Sequence, residues 1–105
     1  MKRLKTWGER TYFEYEDSDS SKISIYYGTD LKWKVELHRS DYEKLIKEFS
    51  GKTVPIGTSL DKPPVGSVGE WIMKNLKTSQ IAYILGAILV EEGYATKNGS
   101  EIIFK

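Results

Sequence analysis

The chain has no cysteine. Disulfides, thiolate metal sites and cysteine nucleophiles are excluded, and an intracellular, cytoplasmic setting is expected. It has one histidine, His38, so neither a histidine metal cluster nor a histidine-based triad can be assembled. It lacks an excess of either charge: 16 Lys and Arg face 15 Asp and Glu, for a formal net charge of +1. No whole-chain field therefore draws in nucleic acid or anionic lipid. Long apolar runs are also missing. The longest, "IAYILGAILV" (residues 81–90), would span roughly 15 Å as a helix, about half the hydrocarbon thickness of a bilayer. A buried helix is expected there, and no membrane partner. "MKRLKTWGERTYF" begins basic but has no apolar run behind it, so no signal peptide is expected. Asp17 and Asp19 lack the spacing of a calcium loop. No spacing signals a catalytic pair or a cofactor site, and the expectation is a protein that is not an enzyme and carries no cofactor or metal.

What is present fits one globular domain. The 105 residues are 39% hydrophobic and 12% aromatic, enough for a core. The first third alternates with period two. Phe13 and Tyr15 share a face against Tyr12, Glu14 and Glu16. Ile23, Ile25 and Tyr27 oppose Lys22, Ser24 and Tyr26. Leu31, Trp33, Val35 and Leu37 oppose Lys32, Lys34, Glu36 and His38. With the turns "DSDSS" and "GTD" between them, these predict a three-stranded antiparallel meander. Trp7 would extend its first strand, and Lys2, Arg3 and Lys5 would form a frayed terminus.

The period then becomes helical. Ser40 and Glu43 have capping-box spacing, Tyr42, Leu45, Ile46 and Phe49 make one face, and Gly51 suits the stop. This helix should cover the meander. Val54 and Ile56 predict a short strand that Pro55 confines to an edge. Residues 57–66 read as a loop. Ser67 and Glu70 form a second capping box, opening a helix to about Lys77 that buries Val68, Trp71, Ile72 and Leu76. Thr78 or Ser79 should cap a third helix ending at Glu92, with Gly93 as its C′ residue. Asn98-Gly99 predicts a type I′ hairpin. The fold class expected is α+β, as one compact domain: residues 1–56 meander plus helix, 57–66 loop, and 67–105 the rest.

In residues 67–105, "GEWIMKNL", "TSQIAYILG" and "AILVEEGYATKNGSEIIFK" resemble a winged helix-turn-helix domain. Leu89, Gly93, Tyr94 and the Asn98-Gly99 hairpin carry the resemblance. It implies a supporting helix, a recognition helix and a β-hairpin wing. The spacing departs from the family at Gly86, the only turn candidate inside the apolar run.

The residue chemistry argues against the reading role. From Gly57 onward five lysines balance five carboxylates, with no arginine. Between Thr78 and Glu92 only Gln80 could reach a base edge, whereas readout needs donors, acceptors and phosphate neutralisation. The favoured reading is therefore a small non-enzymatic interaction or regulatory module whose partner is another protein or a second copy. Ala82, Tyr83, Gly86 and Val90 would form its packing or oligomer surface, because a helix apolar on all sides must be covered on all sides. The alternative is a DNA-binding regulator using Lys74, Lys77, Gln80 and Lys97. A third reading is a single-strand binder using Tyr12 and Tyr26 beside Lys32, Lys34 and His38, set against a plain solvated sheet with Glu14, Glu16 and Glu36 paired across strands. "PPVGSVGEW" reads as a rigid turn feeding a capped helix rather than a phosphate loop.

Overall fold

The computed structural model describes residues 1–76 and 80–105. The fold is α+β. A first antiparallel sheet has strand order β1-β2-β3-β4, with β1 Lys2–Lys5, β2 Tyr12–Glu16, β3 Lys22–Tyr27 and β4 Trp33–His38. Alternation works as expected on the inner face. Phe13, Tyr15, Ile23, Ile25 and Leu37 are buried, and Ile23 pairs with Leu37 and Ile25 with Val35.

Two expectations for this sheet need correction. It has four strands, because residues 2–5 pair with β2 in the register Lys2↔Tyr15 to Lys5↔Tyr12. The basic terminus is held by Arg3 bonding Glu14 at 2.7 Å and by Leu4 packing on the core. A strand with one apolar residue carries no visible period. Trp7 does not extend a strand; it lies buried in the loop between β1 and β2. The second correction is Trp33. It opens β4 at the sheet's end and is 62% exposed, lying across Gly28, whose positive φ turns the chain ahead of a 3₁₀ turn at Thr29–Leu31.

Helix α1 (Arg39–Phe49) follows β4 without a loop and buries Tyr42, Leu45 and Phe49. The Ser40 capping box is not made, since the helix starts before Ser40. Tertiary contacts set the start instead: the Arg39 N–H donates to Ser21 O, and its guanidinium donates to the backbone carbonyls of Asp17 and Asp19. After α1, Lys52 N–H donates to Phe49 O across Ser50-Gly51, with Gly51 at φ 75°, a type II turn.

The second sheet has order β5-β7-β6, with β5 Thr53–Pro55, β6 Ala95–Asn98 and β7 Glu101–Phe104. Pro55 sits on its edge strand, as predicted. Between β5 and β6 lie α2 (Val68–Asn75) and α3 (Ala82–Glu91). Ser67 Oγ accepts the Glu70 N–H at 3.1 Å, so this cap forms, while the Glu70 carboxylate reaches Gly66 N–H rather than Ser67. α2 buries Val68 and Ile72, and leaves Trp71 half-buried. Helix α3 runs unbroken through Gly86, which answers the spacing question at that residue. The Thr78 or Ser79 cap predicted for it lies outside the described residues. Its C-terminus is a Schellman motif: Gly93 N–H donates to Val90 O and Tyr94 N–H to Leu89 O, with Gly93 at φ 84°.

The hairpin turn is one residue later than predicted. Asn98 pairs with Glu101, so Gly99-Ser100 is the loop, and of these two only Gly99 has positive φ. That is the type II′ pattern, not I′. One hydrophobic cluster joins both sheets and the α-helices among the described residues, with Phe49 stacked on Phe104 at 5.3 Å and Tyr42 edge-on to Tyr94 at 6.0 Å.

Tyr42 Oη is buried and meets no hydrogen-bonding group among the described residues. Burial pushes the hydroxyls of Tyr42, Tyr15 and Tyr83 above the ordinary tyrosine range, with nearby Glu92 adding to the effect on the first two. The folded state then holds protons that the unfolded chain releases above about pH 10. Stability should be full below that pH and fall as pH rises past it. Tyr42→Phe should be neutral or stabilising by up to about 1 kcal/mol in urea unfolding near pH 7, and should flatten the alkaline decline. A loss greater than about 1 kcal/mol would show that the hydroxyl is bonded.

Candidate functional site

The helix that the winged-helix resemblance makes the reader is interior. All of Ala82, Ile84, Leu85, Gly86, Ile88 and Leu89 are buried. The N-terminal segment runs antiparallel along α3 and is tied at both ends. At one end Lys2 Nζ and Tyr15 Oη meet Glu92 Oε2 at 3.1 and 3.3 Å, which raises the Lys2 pKa. At the other end Trp7, 6% exposed, donates its backbone N–H to Tyr83 O at 2.8 Å and its indole N–H to Gly99 O at 3.0 Å.

The Trp7 ring and Ile56 pack on the bare backbone of Gly86. A Cβ there would stand 2.6 Å from Ile56 Cδ1 and 2.7 Å from Trp7 Cε3. The groove expected at Ala82 and Gly86 as an oligomer surface is therefore filled from within the chain. At Gly86 the cover of α3 comes from Trp7 and Ile56, and Leu4 packs on the same core. What stays half-exposed is the stripe Tyr83, Ala87 and Val90, so two of the four residues expected at that surface remain reachable.

The residues proposed for nucleic acid are scattered. Gln80 is 7% exposed; its amide donates to Gly57 O and Ser59 O at 2.9 and 2.6 Å, and its carbonyl oxygen accepts the Ala82 N–H. It bonds the first N–H of α3 and clasps the 57–59 loop, so both amide hydrogens are engaged within the chain and the side chain is buried. Lys97 is exposed, but donates to Trp7 O with its ammonium 5.0 Å from the Trp7 ring centroid. Lys74 stands in solvent on α2, 3.7 Å from Glu70. Lys77 lies outside the described residues.

On the outer face of the first sheet, Arg3, Glu14, Tyr26 and Lys34 form one row across all four strands. Lys34 lies over the Tyr26 ring at 5.5 Å and Lys5 over Tyr12 at 5.9 Å. Glu14 is held by Arg3, Glu36 by Lys22 at 2.6 Å, and Glu16 by the terminal amine at 3.8 Å. Lys32 is off the sheet, at the end of the 3₁₀ turn. Opposite charges thus pair across the strands, as the solvated-sheet reading expects.

Two concave areas stand out among the described residues, besides a depression of about 170 Å³ lined in part by Leu4, Trp7, Ala87 and Val90. Beside Tyr83, adjoining depressions of about 520 and 610 Å³ share Thr6, Thr11 and Tyr83. Arg3, Tyr12, Tyr27 and Asp30 line one, and Arg10, Thr58 and Leu60 the other. Asp30 and Leu31 here, and Glu9 in the neighbouring loop, take positive φ. The second concavity lies between α1 and α2, where depressions of about 470 and 350 Å³ share Glu48, Trp71 and Asn75. Lys44 and Lys47 line one, Lys52 and Lys74 the other. The sequence reading missed this groove. Its only signal was that Lys44, Lys47 and Lys52 recur at three- and five-residue intervals, whereas Trp71, on the other helix, is distant in sequence.

Among the described residues no three His, Asp or Glu side chains converge as a metal site, and no helix is long and apolar enough to cross a membrane. Comparison with family models, with curated proteins and with solved structures finds no match to this chain.

Trp7→Ala should cost about 3–5 kcal/mol in chemical unfolding, as a buried aromatic is removed. Gly86→Ala should cost about 1–3 kcal/mol through overpacking against Trp7 and Ile56. The two should couple in a double-mutant cycle, since truncating the ring makes room for the new methyl. Additive costs would show that the ring and the glycine do not depend on one another.

Proposed function

We propose that this chain is a small non-enzymatic interaction or regulatory module in which a winged-helix-like unit acts as scaffold. The order α2, α3, β6-β7 hairpin supports the winged-helix part, with β5 adding a third strand to the wing sheet. The observation that carries the functional part is the burial of α3 beneath the chain's own N-terminal segment. A helix that enters the major groove must present donors and acceptors to base edges. The stripe α3 leaves half-exposed offers only the Tyr83 hydroxyl beside Ala87 and Val90.

The partner in this reading is another protein. A second copy would have to bury the half-exposed stripe Tyr83, Ala87 and Val90, since Trp7 and Ile56 already cover Gly86. The DNA-regulator reading keeps Lys74, and Lys77 lies outside the described residues; Gln80 and Lys97 are engaged within the chain. The single-strand reading retains Tyr12 and Tyr26, each beneath a lysine, on a face whose carboxylates are paired.

The test is a salt titration against random-sequence duplex DNA, followed by fluorescence anisotropy. No binding is expected even at about 50 mM salt, where phosphate contacts are strongest. Submicromolar binding that weakens steeply with salt would overturn the reading. A mass that rises with concentration in sedimentation would restore the second copy as partner.

A further inference from the structure

The groove between α1 and α2 combines a fixed aromatic ring with a local excess of one charge. Trp71 packs edge-on against Phe49, with centroids 6.5 Å apart and planes at 71°, so the core holds the ring while one side of it stays open. Its indole N–H donates to none of the described residues, although the Trp71 carbonyl accepts from Asn75. Four lysines surround it. The two carboxylates of the groove, Glu48 and Glu70, are each matched by the lysine four residues on, at 3.8 and 3.7 Å. Lys44 and Lys47 have no carboxylate within ion-pair distance among the described residues and are exposed. Exposed pairs of this kind contribute little to stability, so the lysines can be recruited by a stronger partner.

We infer that this groove is the docking surface of the module, and that it takes an extended acidic segment of a partner polypeptide with an apolar side chain seated on Trp71. The inference rests on the interaction-module reading. Charge complementarity argues for the acidic partner: four ammonium groups against two carboxylates favour incoming carboxylates and steer their approach. The half-exposed indole, with Val54 in the same wall, supplies the apolar anchor point on which interfaces concentrate their energy. A nucleic-acid strand fits less well. Its evenly spaced phosphates would meet Glu48 and Glu70 inside the groove, whereas a polypeptide can set carboxylates against the lysines and an apolar side chain against the ring.

The experiment uses the full chain carrying Trp33→Phe, which removes the exposed tryptophan and leaves Trp71 to report against an enclosed Trp7. A short synthetic peptide alternating Glu with Leu is titrated in, with an oligothymidylate of similar length in parallel. The peptide should change the fluorescence saturably, and K44E/K47E should weaken it about tenfold or more with an unchanged melting curve. Raising salt from about 50 to about 500 mM should weaken it similarly. No peptide binding at low salt, binding indifferent to the charge reversal, or tighter binding of the oligothymidylate would each overturn the inference. Peptide failure without duplex-DNA binding removes the groove alone, whereas duplex binding removes the module reading beneath it.

Discussion

The rest of the structure depends on Trp7 lying on the bare backbone of Gly86. Helix α3 has a polar residue on no full face, so it can exist only if every side finds cover. The second sheet, α2 and the first sheet take most of it. The bare backbone at Gly86 is left, and the flat ring of Trp7 seals it together with Ile56. The N–H groups of Trp7 fix it to Tyr83 O and Gly99 O, on the helix and on the hairpin turn. Trp7 therefore fastens the first sheet, the central helix and the β6-β7 hairpin.

The second tie explains an oddity of charge. Glu92 caps the C-terminal end of α3, where the helix dipole disfavours a carboxylate. Lys2 and Tyr15 reach it from the first sheet, and the Schellman turn at Gly93 satisfies the carbonyls beside it. The unfavourable carboxylate becomes an anchor for the strand that covers the helix. Coupling of this kind ties an exposed strand to the core, although Leu4 is the only one of its four residues that packs there.

Much of the fold was legible in the sequence because its signals are local. Alternation in residues 12–27 and 35–38, the i, i+3, i+4, i+7 stripe of α1, the Ser67 cap, the Pro55 edge and the Gly93 stop each arise within a few residues. What was not legible depends on distant partners. β1 has no period because its strand character comes from pairing with β2. The start of α1 is set by carbonyls of the β2–β3 turn, which overrode a well-spaced Ser40 and Glu43. The hairpin keeps its glycine but shifts by one, since the register of β6 with β7 is fixed by placing Ala95, Ile102 and Phe104 in the core. Of the candidate site residues, Gln80 misled most. A lone polar residue before an apolar helix looks available for contact, but in the folded chain its amide satisfies backbone groups at 57, 59 and 82.

Sealing α3 also redistributes what the surface can do. In a winged-helix plan the third helix is the exposed chemical face, and the first two helices support it. Here the order is inverted: the third helix is interior, and the exposed side chains of note belong to α1 and α2. A formal charge of +1 spread evenly would steer nothing. Lys44 and Lys47 line the groove on one side of Trp71 and Lys52 and Lys74 on the other, so a nearly neutral protein carries a locally basic groove around an aromatic ring. That concentration follows from the fold, because α1 and α2 pack on the same core and meet directly where Trp71 lies edge-on to Phe49.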